Sequence, residues 1–159
     1  MAGNKQLFDG LLNAVNSLSD KERKAVLKEL LKQQGCIPIS VFNADISGLE
    51  IVVKYLKEEK RISFKKISEI LNRQPSTIYN TYSNARRKHR GKLNVSDFSI
   101  TIPFNIFFHR KFSILETIVA YLKDKEGLSF GNISELLNKG ESTVRTVYWR
   151  YKLKMQNEK

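Results

Sequence analysis

The sequence predicts an all-α protein built from an N-terminal helical hairpin and two tandem three-helix units. Apolar residues recur at helical spacing along most of the 159-residue chain. Between positions 49 and 88, 17 of 40 residues are identical to the residue 66 positions further on, which reveals an internal duplication. Serines suited to capping helices precede several of the apolar runs. Together these features favour short helices in a repeated order.

Residues 1–35 predict the helical hairpin. Ser19 and Glu22 have the spacing of a capping box and therefore start the second helix, which Gly35 ends. We expect the hairpin to pack on the first unit, with self-association through 1–35 as the alternative. Its apolar stripes are Leu7, Phe8, Leu11, Leu12 and Val15 in the first helix and Val26, Leu27, Leu30 and Leu31 in the second.

The duplication divides the rest of the chain into a unit at 36–92 and a lead-in segment with a second unit at 93–159. Each unit predicts three helices, and the most similar stretch is ISEILN at 67–72, which returns as ISELLN at 133–138. Ser63 and Ser129 are predicted N-caps of the second helices. The third helices are predicted at 75–90 and 141–154. Two apolar lead-ins, Ile37-Pro38-Ile39 and Ile102-Pro103-Phe104, are expected to be extended and to pack beneath each unit.

Positive charge is concentrated in the two predicted third helices and their turns. The chain carries 28 basic and 16 acidic residues, a net charge of +12. Residues 72–92 hold six basic and no acidic residues, and 139–154 hold five basic residues and one acidic residue. Hence +10 of the +12 lies in these two segments. An ordinary solvated surface mixes charge signs, so this distribution predicts contact with nucleic acid.

A helical wheel assigns one face of each third helix to the core. That face holds Ile78, Thr81, Tyr82 and Ala85 in the first unit and Val144, Val147, Tyr148 and Tyr151 in the second. The opposite face carries planar and hydrogen-bonding side chains suited to base edges in a major groove. The base-reading candidates are Tyr79, Asn80, Ser83, Asn84, Arg87, Arg145, Thr146, Trp149 and Arg150. For Tyr79 and Trp149, contact with a partner protein is the alternative.

Hydroxyls in the first turn of each third helix, and cations near both ends, are candidates for phosphate contact. Ser76 and Thr77 can also be simple helix-start residues. The phosphate candidates are Arg73, Ser76, Thr77, Arg86, Lys88, Arg90, Lys92, Lys139, Ser142, Thr143, Lys152 and Lys154.

The helix, short turn and basic helix resemble the helix-turn-helix of region 4 of bacterial sigma factors and of related response-regulator output domains. The resemblance lies in ISEIL at 67–71 with Thr77-Ile78, and in ISELL at 133–137 with Thr143-Val144. The turn differs, because Asn72-Arg73 and Asn138-Lys139 replace the usual glycine and apolar residue. The tandem architecture is similar to small archaeal helix-turn-helix proteins, a group that includes the CRISPR-repeat DNA-binding protein. The resemblance implies tandem helix-turn-helix units that bind duplex DNA.

The leading hypothesis is therefore a sequence-specific double-stranded DNA-binding protein, a transcriptional regulator that reads a bipartite non-palindromic site through two major grooves. The alternatives are an architectural or repeat-array binder of the CRISPR type, and a sigma-like factor that acts through RNA polymerase or another chromatin protein.

Other classes of function are not expected. Cys36 is the single cysteine, and His89 and His109 have no neighbouring ligands at metal spacing, so we expect no metal and no cofactor. No nucleophile with a base, paired carboxylates or phosphate loop is visible, so an enzyme is not expected. No targeting signal or membrane-spanning run is apparent, and the expected location is cytoplasmic, in association with the nucleoid.

Overall fold

The computed structural model describes residues 2–33 and 35–157, and in this part of the chain the protein is mostly helical, with eight α-helices. Contacts divide the chain into two compact units, Met1–Gln34 and Gly35–Lys159. Within the described residues, no helix has the combined length and apolarity needed to cross a bilayer. At this level the predicted all-α class is confirmed, with one exception described below.

The N-terminal compact unit, Met1–Gln34, contains α1 (Ala2–Asn16) and α2 (Asp20–Gln33). The Ser19 amide donates to the Glu22 carboxylate at 2.9 Å and the Glu22 amide donates to the Ser19 hydroxyl at 3.4 Å, which together form the expected capping box. Leu11, Leu12, Val15 and Val26 are exposed. The remaining apolar positions of the predicted stripes lie outside the described side chains: Leu7, Phe8, Leu27, Leu30 and Leu31.

The first repeat consists of α3 (Gly48–Glu58), α4 (Phe64–Ile70) and α5 (Pro75–Lys88). Ser63 caps α4 by accepting the Lys66 amide at 3.2 Å, as the sequence predicts. Pro75 occupies the first turn of α5, where a missing N–H costs no helical hydrogen bond. α5 ends two residues earlier than expected.

The second repeat consists of α6 (Ile114–Asp124), α7 (Phe130–Leu137) and α8 (Glu141–Gln156). Ser129 caps α7 by accepting the Asn132 amide at 3.1 Å. The turns before α5 and α8 both contain an asparagine in the left-handed region, Asn72 with φ of 49° and Asn138 with φ of 48°. Asparagine tolerates this conformation better than other residues with a Cβ, so it takes the place of glycine in both turns.

A short sheet joins the two lead-ins and corrects the purely helical expectation. β1 (Cys36–Pro38) pairs antiparallel with β2 (Thr101–Pro103), and the buried Ile37 and Ile102 lie opposite each other. Each strand runs into a 3-10 turn, at Ile39–Asn43 and Phe104–Phe107. The lead-ins are extended as expected and pair with each other, and each also contacts the first helix of its own unit through its 3-10 turn. Periodicity could not show this pairing, because the two strands are far apart in sequence.

The contacts between the repeats are reciprocal. The 3-10 turn of the first repeat packs on α7, and the 3-10 turn of the second packs on α4. Ile37 pairs with Ile102, its counterpart in the other lead-in, and Gly48 lies against Ile114, its counterpart at the 66-residue offset. Reciprocal contact between equivalent surfaces is the mark of a two-fold relation, so the repeats are related by an approximate dyad.

One hydrophobic core spans both repeats. Equivalent positions contribute to it in pairs, such as Val52 with Ile118 and Ile67 with Ile133, and all four side chains are fully buried. The shared core places α5 and α8 at fixed positions on one compact body.

Candidate nucleic-acid interface

α5 packs against α3 and α4 through one apolar side. Ile78 and Ala85 are fully buried, and Tyr82 is half-buried against the Phe64 ring, with 5.3 Å between the ring centroids. These core positions recur at the helical period of about 3.6 residues, so the opposite side of the helix faces solvent.

α8 is held in the equivalent way by α6 and α7. Val144 and Val147 are buried, and Tyr148 and Tyr151 are half-buried. All nine base-reading candidates on the two helices are exposed, namely Tyr79, Asn80, Ser83, Asn84, Arg87, Arg145, Thr146, Trp149 and Arg150.

Two of the phosphate candidates belong to equivalent ion pairs that tie each third helix to the first. Lys88 Nζ lies 2.8 Å from Glu50 Oε1, and Lys154 Nζ lies 2.7 Å from Glu116 Oε2. Burial by itself raises the pKa of each carboxylate, but the lysine and the capping serine lower it below the ordinary value. These two ammonium groups have a structural partner already.

A third candidate, Lys152, is also neutralised. Its Nζ lies 2.8 Å from Asp124 Oδ2, and the Tyr148 hydroxyl donates to Asp124 Oδ1 at 2.7 Å. Hydrogen bonds to Asp124 and Tyr148 raise the pKa of Lys152. Burial would raise the pKa of Asp124, but the two donors bring it below its ordinary value.

The first repeat differs at the equivalent position. Glu58, the counterpart of Asp124, pairs with the buried Lys54 at 2.8 Å and accepts a hydrogen bond from the Tyr82 hydroxyl at 3.2 Å. Burial and then the Glu58 charge raise the pKa of Tyr82. Within the described residues, no carboxylate lies within ion-pair distance of Arg86, the counterpart of Lys152, so its charge is left for an external anion.

A basic cleft of about 620 Å³ lies on this face of the first repeat. Its aromatic wall includes Phe64 and Tyr79, which meet edge to face at 5.6 Å. Among the residues that the structure describes, no acidic side chain lines it, and a site of this charge attracts anions such as phosphate. The lining residues are Lys57, Phe64, Tyr79, Tyr82, Ser83, Arg86, Arg87 and Arg90.

Sequence reasoning missed Lys57 and Phe64 as members of this cleft. Lys57 Nζ lies 4.5 Å from the centroid of the Phe64 ring, and Lys123 Nζ lies 4.8 Å from the centroid of the Phe130 ring in the second repeat. Both residues are identical at the 66-residue offset although they do not belong to the third helix. That identity was the signal that could have found them.

The outward face of α8 carries less unpaired charge and more apolar surface than that of α5. Arg145 Nε donates to Glu141 Oε1 at 2.9 Å and its guanidinium lies 4.7 Å from the centroid of the Phe130 ring. Trp149 and Leu153, one helical turn apart, are 59% and 60% exposed. Their counterparts in the first repeat are Ser83 and Arg87.

The remaining phosphate candidates fall into two groups. Arg73 and Lys139, in the turns before the third helices, line a cavity between the repeats. The others are exposed on or next to the third helices, namely Ser76, Thr77, Arg90, Lys92, Ser142 and Thr143. In the described part of the chain, no group of three or more histidine, cysteine, aspartate or glutamate side chains is arranged to hold a metal ion.

The chain matches no protein-family model, no curated protein and no solved structure.

Proposed function

We propose that the protein is a sequence-specific double-stranded DNA-binding protein and a transcriptional regulator. In each repeat the second and third helices act as a helix-turn-helix, and α5 and α8 enter major grooves. The observation that carries the proposal is the outward face of α5. It joins exposed asparagine, arginine and tyrosine side chains to a cleft with four cations and no acidic lining. Such a face combines groups for base edges with groups for phosphates.

The approximate dyad between the repeats adds an expectation about the target. Two heads related by a two-fold axis meet one duplex in opposite directions, since a duplex has two-fold axes of its own. The half-sites are therefore inverted in orientation. They also differ in sequence, because Tyr79, Ser83 and Asn84 are replaced by Arg145, Trp149 and Arg150. The expected site is bipartite and non-palindromic, an imperfect inverted repeat.

In-vitro selection from a random duplex pool at about 0.15 M salt tests this function. The expected result is an enriched motif with two unlike, inverted half-sites separated by about 10 bp or a multiple of it. Half-sites in the same orientation would contradict the dyad argument but not DNA recognition. The absence of enrichment, with binding that falls steeply with salt, would instead support an architectural binder of DNA or of repeat arrays.

The second candidate function is partner binding through α8, as in a sigma-like factor that contacts RNA polymerase. The exposed Trp149 and Leu153 favour it, because large apolar side chains on a free helix face are typical of protein interfaces. The variant Trp149→Ser with Leu153→Arg gives α8 the residues of α5 at both positions. Loss of polymerase subunits from nuclease-treated complexes, with DNA affinity retained, would favour the partner function. Loss of DNA affinity alone would favour DNA reading by α8.

A further inference from the structure

A cavity of about 750 Å³ lies between the two repeats, near their approximate dyad. Equivalent residues of the two repeats line it in pairs at the 66-residue offset: Ser47 with Ser113, Leu49 with Leu115, and Arg73 with Lys139. Its volume is within the range of pockets that hold small organic molecules, and such pockets favour the junction between packed units.

The charged groups around this cavity are mainly cationic. Arg73, Lys88 and Lys139 line it, and Asp45 is the acidic residue among the lining side chains that the structure describes. Asp45 is fully exposed and its carboxylate lies 3.9 Å from Lys139 Nζ, so it neutralises that lysine weakly. Lys88 is paired with Glu50. The positive charge that remains belongs to the turn residues Arg73 and Lys139.

Arg73 is a cation whose burial is not compensated. The side chain is half-buried, and its Nε is enclosed without a hydrogen-bond partner. Burial and then the nearby Arg110 charge lower the pKa of Arg73. Within the described residues, no carboxylate lies within ion-pair distance of it. A partly desolvated guanidinium gains more from an added anion than one that already has a carboxylate partner.

In contrast to these cations, most of the cavity wall consists of buried apolar side chains. Phe42, Ile46, Ile51 and Leu137 all line it and are at most 8% exposed. An inorganic anion would gain nothing from these walls. The chemistry therefore fits a molecule with an anionic head group and an apolar body.

We propose that this cavity binds a small organic acid, whose anionic group lies between Arg73 and Lys139 and whose apolar body contacts Phe42 and Ile46. Residues of both repeats line the cavity, so a bound ligand contacts both repeats.

Titration calorimetry on the full chain tests the site, with octanoate as the probe and octan-1-ol as the uncharged molecule of matched chain length. We expect saturable binding of octanoate with one molecule per chain, and binding of octan-1-ol at least about tenfold weaker, because a charge-assisted hydrogen bond is lost. Arg73→Gln should weaken octanoate binding about tenfold and leave octan-1-ol unaffected. Lys65→Gln, which removes an exposed cation outside the cavity, should change neither value.

Equal affinities for octanoate and octan-1-ol would overturn the proposal, as would octanoate binding that Arg73→Gln leaves unchanged. No detectable octanoate binding would overturn it as well. Lys139→Gln provides a second test on the other repeat, and circular dichroism establishes that each variant is folded. Leu115→Trp, which places an indole in the cavity, should reduce binding of both probes.

Discussion

The Glu116 carboxylate accepts a hydrogen bond from Lys154 Nζ at 2.7 Å and another from the Ser113 amide at 2.8 Å. The side chain of Glu116 is 7% exposed and that of Lys154 is 42% exposed. One buried carboxylate therefore caps the start of α6 and anchors the end of α8. Glu50 does the same for α3 and α5 through Ser47 and Lys88.

Lys154→Met should lower the free energy of unfolding by about 1–3 kcal/mol, because it leaves a buried carboxylate without its cation. Urea denaturation followed by circular dichroism measures the change. Lys65→Met, at an exposed position on α4, is the matched control and should have an effect below about 0.5 kcal/mol. Equal effects of the two substitutions would show that the ion pair does not stabilise the fold.

Stability should decrease in acid because the pKa values of Glu50 and Glu116 are lower in the folded chain than their ordinary value of 4.5. A carboxyl group with a depressed folded pKa stabilises fully above its unfolded pKa, and this stabilisation is lost as the pH falls through the folded pKa. Urea midpoints measured from about pH 7 to about pH 3 should begin to fall below about pH 4.5. In the double variant Lys88→Met/Lys154→Met, the decrease of the urea midpoint in acid should be smaller. The same pH profile as in the unsubstituted chain would contradict the assignment of this decrease to Glu50 and Glu116.

Arg86→Gln should weaken binding to all duplexes and reduce the slope of log affinity against log salt by about 1, because one phosphate contact is lost. Lys152→Gln removes the equivalent charge in the second repeat, but Asp124 already neutralises it. Its effect on the slope should be clearly smaller. Fluorescence anisotropy over a salt series measures both slopes, and equal changes would contradict the difference between the two repeats.

Arg87→Ala and Arg150→Ala should each cost about 1–3 kcal/mol of binding free energy on the selected site if these side chains read bases. The loss should be smaller on random duplexes, since a base contact carries sequence information that a phosphate contact lacks. Binding assays on both kinds of duplex provide the comparison. Equal losses on the two would assign the arginines to phosphates.

Asn72→Ala should destabilise the fold by about 1–2 kcal/mol, because alanine is unfavourable at a φ of 49°. Asn72→Gly keeps the conformation accessible and should be nearly neutral. Thermal unfolding of both variants gives the difference. A similar loss in both would indicate that the asparagine side chain, and not the backbone conformation, is what stabilises the turn.

The local structure followed from short-range patterns. Ser63, Ser129 and Pro75 indicated where helices begin, and the structure has helices starting at Phe64, Phe130 and Pro75. The outward positions of the third helices were predictable for the same reason, since a period of 3.6 residues separates the core side from the solvent side. That DNA contacts this face remains a prediction.

The sequence could not predict which cations of the third helices remain free of a carboxylate partner and can therefore contact a phosphate. Lys88, Lys152 and Lys154 have the same sequence character as Arg86 and Arg90, yet the first three face carboxylates from another helix. Such pairing depends on residues about 28 to 38 positions apart, a separation that a helical wheel does not represent. The same limit applies to Arg73 and Lys139, which are polar turn residues in sequence and cavity-lining residues in the fold.

By itself the sequence determined the helical class, the duplication at 66 residues and the concentration of charge in two segments, because each is a local or repeated pattern. Only the tertiary structure decided that Ile37 pairs with Ile102, that the repeats share one core, and that an approximate dyad relates them. The physical reason is that these features arise from contacts between distant segments. Local spacing sets which face of a helix is apolar, and packing of the whole chain decides what that face meets.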